Sequence, residues 1–309
     1  MNTTNEPSNQ LPESLSDRVP IPHTSKSRLV ISLDSQVLSK IQTCGALAAY
    51  AHLDSIEPID YENDSLDIGL VMHEGLAEFY RHKHNTPTNI AKSKAIAKIE
   101  VSSSAKPTLT ASKINMMIDA LSQYVLKYET EPWVVVKDTN GNPLVEQTFS
   151  KTLYQDEDIE IHYIGITDLI VRASEASKSI VPIDHKTYGS HYKPAILSNQ
   201  FSGYMWATNS SNLIVNRVGV KSKLGSFERV LVTRTPAQTE EWKGNAIRSI
   251  LSHLDDMQAN DFRRNYEACT MYGGCRYLRL CAADPSHRRY LKANEYKIVP
   301  PWNPLEARD

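Results

Sequence analysis

Gly165-Ile166-Thr167-Asp168-Leu169-Ile170-Val171 and Ile180-Val181-Pro182-Ile183-Asp184-His185-Lys186-Thr187 decide how this chain is read. Both stretches are β-branched and apolar, as strands are, and each carries an acid. The second carries Asp-x-Lys. Residues two apart on a strand share a face, so Asp184 and Lys186 project together. If the two strands pair as a hairpin, Asp168 comes to lie beside them. A carboxylate set among Ile166, Leu169 and Ile183 is costly without a partner. Two carboxylates can hold Mg²⁺ or Mn²⁺, hard cations that prefer oxygen. Such an ion polarises a phosphate oxygen and acidifies a bound water, while a lysine orients that water and offsets charge building on phosphorus. Taken alone, Asp-x-Lys is more often a surface ion pair; the combination points to phosphodiester hydrolysis.

Working outward, Trp133–Val136, 144–154, 159–172 and 179–186 read as strands, with a turn at Asn140-Gly141-Asn142-Pro143. Further strands are expected at 213–219 and 227–234. Upstream, Val37, Leu38, Ile41, Cys44 and Ala48 fall on one helical face after a capping Asp34 or Ser35. A polar loop over 54–66 precedes a helix from about Asp67, and another helix covers about 112–128. Helices at about 194–208 and 238–258 complete the pattern. Helices, a strand meander, then helix, strands and helix make a mixed α/β chain. Residues 1–27, rich in Asn, Ser, Pro and Thr, read as a disordered tail. Residues 28–290 read as one domain and 291–309 as a C-terminal tail.

The 309 residues are 40% hydrophobic, enough for a substantial core. The net charge of −2 shows no basic excess, so any nucleic-acid contact must come from a local basic strip. No run of about 18 apolar residues spans a membrane, and no secretory pattern opens the chain. A cytoplasmic location is expected, the host cytoplasm if the chain is phage-encoded. No phosphate-binding Gly-x-x-x-x-Gly-Lys-Ser/Thr motif occurs, so any strand unwinding needs a separate helicase partner.

Gln200 and Tyr204 stand four apart on the helix that follows Lys186, so they share a face able to hydrogen-bond a phosphate or steady the lysine. Gly-x-x-Asp, then apolar-Asp-x-Lys-Thr, then Gln-x-x-x-Tyr resembles the RecB-like branch of the PD-(D/E)XK nucleases, which includes CRISPR-associated RecB-like exonucleases and phage exonucleases. The resemblance covers about residues 30–290. It implies a restriction-endonuclease-like α/β core, a mixed central sheet flanked by helices. It also implies N-terminal helical elements and a C-terminal cluster-binding segment. His73, in Val71-Met72-His73-Glu74-Gly75, matches the helix histidine of that branch. By resemblance His73, Asp168, Asp184 and the main-chain carbonyl of His185 would bind the metal, and Lys186 would be the catalytic lysine. Gln200 and Tyr204 would assist it and contact DNA. Glu146 resembles an acidic position that often precedes the Gly-x-x-Asp strand. The implied reaction is DNA cleavage, exonucleolytic and favouring single-stranded ends, in phage or bacterial recombination, repair or replication. The other readings are a non-catalytic DNA-binding or partner subunit and a CRISPR-adaptation accessory nuclease. The oligomeric state is left open.

Cys44, Cys269, Cys275 and Cys281 are the four cysteines, three of them evenly spaced in a polar, glycine-containing segment. Four thiolates suit zinc or a 4Fe–4S cluster. The absence of Cys-x-x-Cys pairs favours iron–sulfur. The resemblance implies the same: one early and three late cysteines, joined by a cluster that ties the two ends of the nuclease together. This chain departs from the better-known members in having five residues, not two, between Cys269 and Cys275. Arg276 and Arg279 in this segment are candidate DNA contacts.

Overall fold

The computed structural model of the protein describes residues 28–61, 63–188, 196–220 and 226–303; the tail expected over 1–27 lies outside the described residues. β1 (Leu29–Leu33) runs into α1 (Ser35–Thr43), whose first turn is capped by the Asp34 carboxylate accepting from the Gln36 and Val37 amides at 3.0 and 2.9 Å. α2 (Gly45–Ala48), a π-helical turn (Ala49–Leu53) and β2 (Ile56–Pro58) follow.

Three helices come next. α3 (Asp64–Lys83) starts three residues before Asp67, because Asn63 caps it and Asp64 and Asp67 suit the positive end of its dipole. α4 (Thr88–Ser104) was not anticipated from the sequence. Its buried face is Ala91, Ala95, Ile99 and Ser103, every fourth residue, and with Ile99 the one large apolar side chain among them little hydrophobic period is left to read. α5 (Ala111–Lys127) follows the expected stripe.

The strands are β3 (Val134–Val135), β4 (Val145–Gln155), β5 (Ile159–Arg172) and β6 (Val181–Tyr188). α6 (Asn199–Thr208) starts where the Ser198 hydroxyl caps the Phe201 amide; the first residues of the helix expected from 194 lie outside the described residues. β7 (Asn212–Gly219), β8 (Phe227–Thr233) and α7 (Pro236–Ala259) complete the core, α7 opening on a Thr235/Gln238 capping box.

From residue 260 the chain forms pieces too short to show a period: 3₁₀ turns, α8 (Leu278–Ala282), α9 (Arg288–Glu295) and β9 (Tyr296–Ile298). The boundary drawn at 290 falls inside α9, and β9 pairs antiparallel with β2. A fourth hydrophobic cluster, including Tyr50, Tyr277 and Tyr296, holds this end together.

The central sheet is mixed, in the order β1-β5-β6-β7-β8, with β3 and β4 along the far edge of β5. The long β5 shares its other edge between β1, parallel over Ile159–Tyr163, and β6, antiparallel over Leu169–Val171. α3, α4 and α5 bury Ile68, Phe79, Ile99 and Leu121 in one cluster with Leu169, Val171 and Ile183 of the sheet. α1 and α7 bury Leu38, Trp242 and Ile250 against Ile161 and Tyr163. α6 covers β7 and β8 through Phe201 and Met205. Gly203 lets α6 settle on Tyr163, whose ring and hydroxyl occupy the space a Cβ would need. The mixed sheet flanked by helices is the architecture expected. Among the described residues no helix is long and apolar enough to cross a membrane.

Candidate active site

β5 and β6 pair as the expected hairpin, but only at Leu169–Ile183, Ile170–Pro182 and Val171–Val181. One register step further the strands fork, β5 turning toward β1 and β6 staying with β7. Asp168 and Asp184 are the first residues past the fork. The His185 amide bridges the gap by donating to Asp168 Oδ2 at 2.6 Å. Backbone that would otherwise lie unpaired between diverging strands is thereby satisfied, and the carboxylate is fixed.

Asp184 has no exposed surface and Asp168 only 4%. Lys186 Nζ lies 2.8 and 3.0 Å from the two Asp184 oxygens and donates to Gln200 Oε1 at 2.8 Å. Gln200 Nε2 in turn donates to the Tyr204 hydroxyl at 3.1 Å. The Asp-x-Lys pairing and the Gln/Tyr helix face therefore form one chain of contacts.

His73 comes in from α3, its Nδ1 3.4 Å from Asp168 Oδ2. That nitrogen is buried and makes no well-directed hydrogen bond. Glu146 stands opposite Asp168 in the β4–β5 register, between Val145–Leu169 and Gln147–Thr167. Its φ of 50° is left-handed, unusual inside a strand and a form of strain that concentrates at functional sites. Ligand atoms of His73, Glu146 and Asp168 all lie within 4.8 Å of one another. The imidazole and two carboxylates offer N and O donors suited to a hard or borderline divalent cation. The under-bonded His73 Nδ1 fits a bound ion as well.

The electrostatics fit the same picture. Burial works to raise the Asp168 carboxyl, but the adjacent His73 outweighs it and holds Asp168 well below the usual carboxylate range. Burial raises Asp184 despite Lys186. His73 is raised, Asp168 overcoming the burial that would lower it.

The His185 ring points to the opposite face of β6, as the alternation of a strand requires. It stacks on Tyr80 with centroids 5.7 Å apart, and its Nδ1 lies 2.7 Å from Asn216 Nδ2. An amide nitrogen is a donor, so Nδ1 accepts. Burial lowers this histidine to about 3, keeping it neutral. Asn216 also donates to the Tyr124 hydroxyl at 3.0 Å, which meets the Tyr80 hydroxyl at 2.6 Å. Behind them Arg229 grips Glu131 with two bonds, 2.6 and 3.0 Å, between the rings of Tyr128 and Trp133. This buried brace under the fork was not read from the sequence, because its members come from α3, α5, the α5–β3 connection, β7 and β8, with no local spacing to connect them.

A cavity of about 730 Å³ opens over His73, Asp168, Lys186, Gln200 and Tyr204. Its far wall is the segment Pro300–Asn303, also missed, the one visible sign being an aromatic within a Pro-Pro-Trp run. Gly165 lines the floor, where a Cβ would come 2.7 Å from the Phe149 ring and 3.4 Å from Tyr204.

Cys44, Cys269, Cys275 and Cys281 line a separate cavity of about 330 Å³. The Asn265 amide points at Cys44 Sγ at 3.5 Å, the Tyr277 amide at Cys275, and Arg264 at Cys281. Burial raises the Cys275 and Cys281 thiols. Among the described residues no three of these sulfurs come within 4.8 Å of one another. Arg276 sits over the Tyr61 ring beside this cavity, and Arg279 pairs with Glu295 at 2.8 Å; neither lines the His73–Asp168 cavity.

The chain matches the family model of the PD-(D/E)XK nuclease superfamily over residues 35–282. No curated protein is a detectable sequence relative. Solved structures that the chain matches include a putative exonuclease from Eubacterium rectale, 9% identical, covering 87% of this chain and 92% of its own, with a TM-score of 0.46. An alkaline exonuclease from Laribacter hongkongensis, 9% identical, covers 59% of this chain and 89% of its own, with a TM-score of 0.30.

Proposed function

Because the chain belongs to the PD-(D/E)XK nuclease superfamily, we propose that it is a metal-dependent deoxyribonuclease of the RecB-like branch, an exonuclease favouring single-stranded ends. The observation that carries this reading is the fork: two buried aspartates where β5 and β6 part, with His73 and Lys186 lining one cavity and Glu146 within ligand distance of His73 and Asp168. His73, Glu146, Asp168 and Asp184, with the main-chain carbonyl of His185, would hold Mg²⁺ or Mn²⁺. That ion would polarise the scissile phosphate and acidify a water.

The rest is work for the chain's own groups. Lys186 is held by Asp184 and Gln200 so that its ammonium faces the cavity, where it orients the attacking water and offsets charge on phosphorus. Gln200 sets the Tyr204 hydroxyl for a phosphate oxygen. The His185 amide fixes Asp168, and the buried brace fixes His185. A role in phage or bacterial recombination, repair or replication fits, with a separate helicase or recombination protein supplying single strands.

For the cysteines we propose a structural 4Fe–4S cluster. Tetrahedral zinc, with Zn–S near 2.3 Å, draws its sulfurs to about 3.8 Å apart. The cysteine spacing, without Cys-x-x-Cys pairs, favours the cluster, and N–H donors aimed at sulfur are how proteins tune such clusters. Brown, anaerobically purified protein supports this; colourless, zinc-loaded protein overturns it and leaves the nuclease reading intact.

The test is digestion of end-labelled linear and circular DNA with Mg²⁺ or Mn²⁺. Wild type should shorten linear strands from an end and spare circles, and Asp184→Ala should fail. Equal digestion by Asp184→Ala, Lys186→Ala and wild type removes the site assignment and favours a non-catalytic DNA-binding subunit.

A further inference from the structure

β9 ends with the Val299 amide bonded to the Ser55 carbonyl at 2.8 Å, and the chain then crosses to the active-site cavity. Pro300 and Pro301 fix their own φ angles and carry no N–H, so this crossing is stiff. Trp302 follows. It lines the same cavity as His73, Asp168 and Lys186, yet 47% of its surface is exposed. Asp34, locked as the cap of α1, lines that cavity with it. Leu66 of α3 lines the same cavity and is 55% exposed.

Single exposed apolar side chains are ordinary and usually mean nothing. This one differs in two ways: it is carried on a stiff segment, and it shares a cavity with the proposed phosphate-cleaving groups. An aromatic face held rigid before its partner arrives binds without an ordering cost. The ligand it suits beside a phosphate site is a nucleobase, because bases stack on aromatic rings whatever their identity.

We propose that Trp302 is a stacking platform for an unpaired base of the DNA strand whose phosphate enters the His73–Asp168–Lys186 site. This rests on the nuclease reading and deepens it. A base inside a duplex is already stacked on both faces, so the platform rewards a strand whose end is single. It also links the two ends of the fold, since the cysteine-lined end positions β9 and β9 positions Trp302.

The experiment measures kcat and KM with Mn²⁺ on single-stranded oligonucleotides whose terminal three nucleotides, at either end, are normal or abasic. Wild type should lose about 10-fold or more in kcat/KM when the bases are removed at the end it attacks, within the range of one base–aromatic stack. Trp302→Ala should show the same loss on the normal strand, through KM, and no further loss on the abasic strand. Trp302→Phe should recover most of it. Wild-type kcat/KM in Trp302→Ala, or an unchanged penalty for abasic ends, overturns the platform and leaves the nuclease reading standing. No cleavage by wild type with Mn²⁺ overturns both.

Discussion

Replacing Lys186 by Met should destabilise the metal-free protein more than it destabilises the metal-loaded one. Asp184 is fully buried, and the Lys186 ammonium touches both of its oxygens at 2.8 and 3.0 Å. Methionine keeps most of the stem and its packing but leaves the carboxylate without its cation. Breaking a buried pair by removing one partner costs about 3–5 kcal/mol. The lysine side chain is 26% exposed, so water screens part of the interaction and the lower end, about 3 kcal/mol, applies. A divalent cation in the site is itself a counter-charge for Asp184. Ligand binding to the native state adds about 2.7 kcal/mol at one hundred times Kd, and more for the variant, whose site is the more negative. Urea melts with and without saturating Mn²⁺ should therefore show the gap between wild type and Lys186→Met falling to about 1 kcal/mol or less. Turnover should stay depressed by about 10²–10³-fold, because the group facing the phosphate is gone. A gap below about 1 kcal/mol without metal, or one that does not shrink with metal, refutes the shared site.

Glu131→Leu should cost about 3–5 kcal/mol by stranding Arg229, and the Glu131→Leu/Arg229→Met double variant should recover most of it in a double-mutant cycle. Gly203→Ala forces a methyl into the buried Tyr163 ring, and a loss of about 1–3 kcal/mol in denaturant melts is expected. His52 is held down to about 4, by burial first and then by Lys40 and Arg276. Its folded value lies below the unfolded 6.5, so its contribution is intact above pH 6.5 and is lost as pH falls toward 4. His52→Asn should flatten that acid slope by about 1.4 kcal/mol per pH unit.

What could be read from residue order was whatever rests on local spacing. Asp184 and Lys186 share a face because they are two apart, and Gln200 and Tyr204 because they are four apart. The β5–β6 hairpin was legible from two β-branched runs separated by a short polar stretch. The fork was not, since it depends on β1 and β6 competing for one edge of β5 from distant parts of the chain. α4 was missed because its buried face carries one large apolar residue, Ile99, among alanines and a serine. The Arg229–Glu131 brace and the Trp302 wall were missed for the reason the fork was: each joins residues that meet only after the sheet has formed.

In the proposed site His73, Glu146, Asp168 and Asp184 converge on one divalent ion. An anomalous difference map from crystals grown with Mn²⁺, collected at the manganese edge, examines this directly. The account predicts one strong peak within coordination distance of His73 and Asp168. A map with no peak at that position, or with manganese bound only elsewhere, contradicts it.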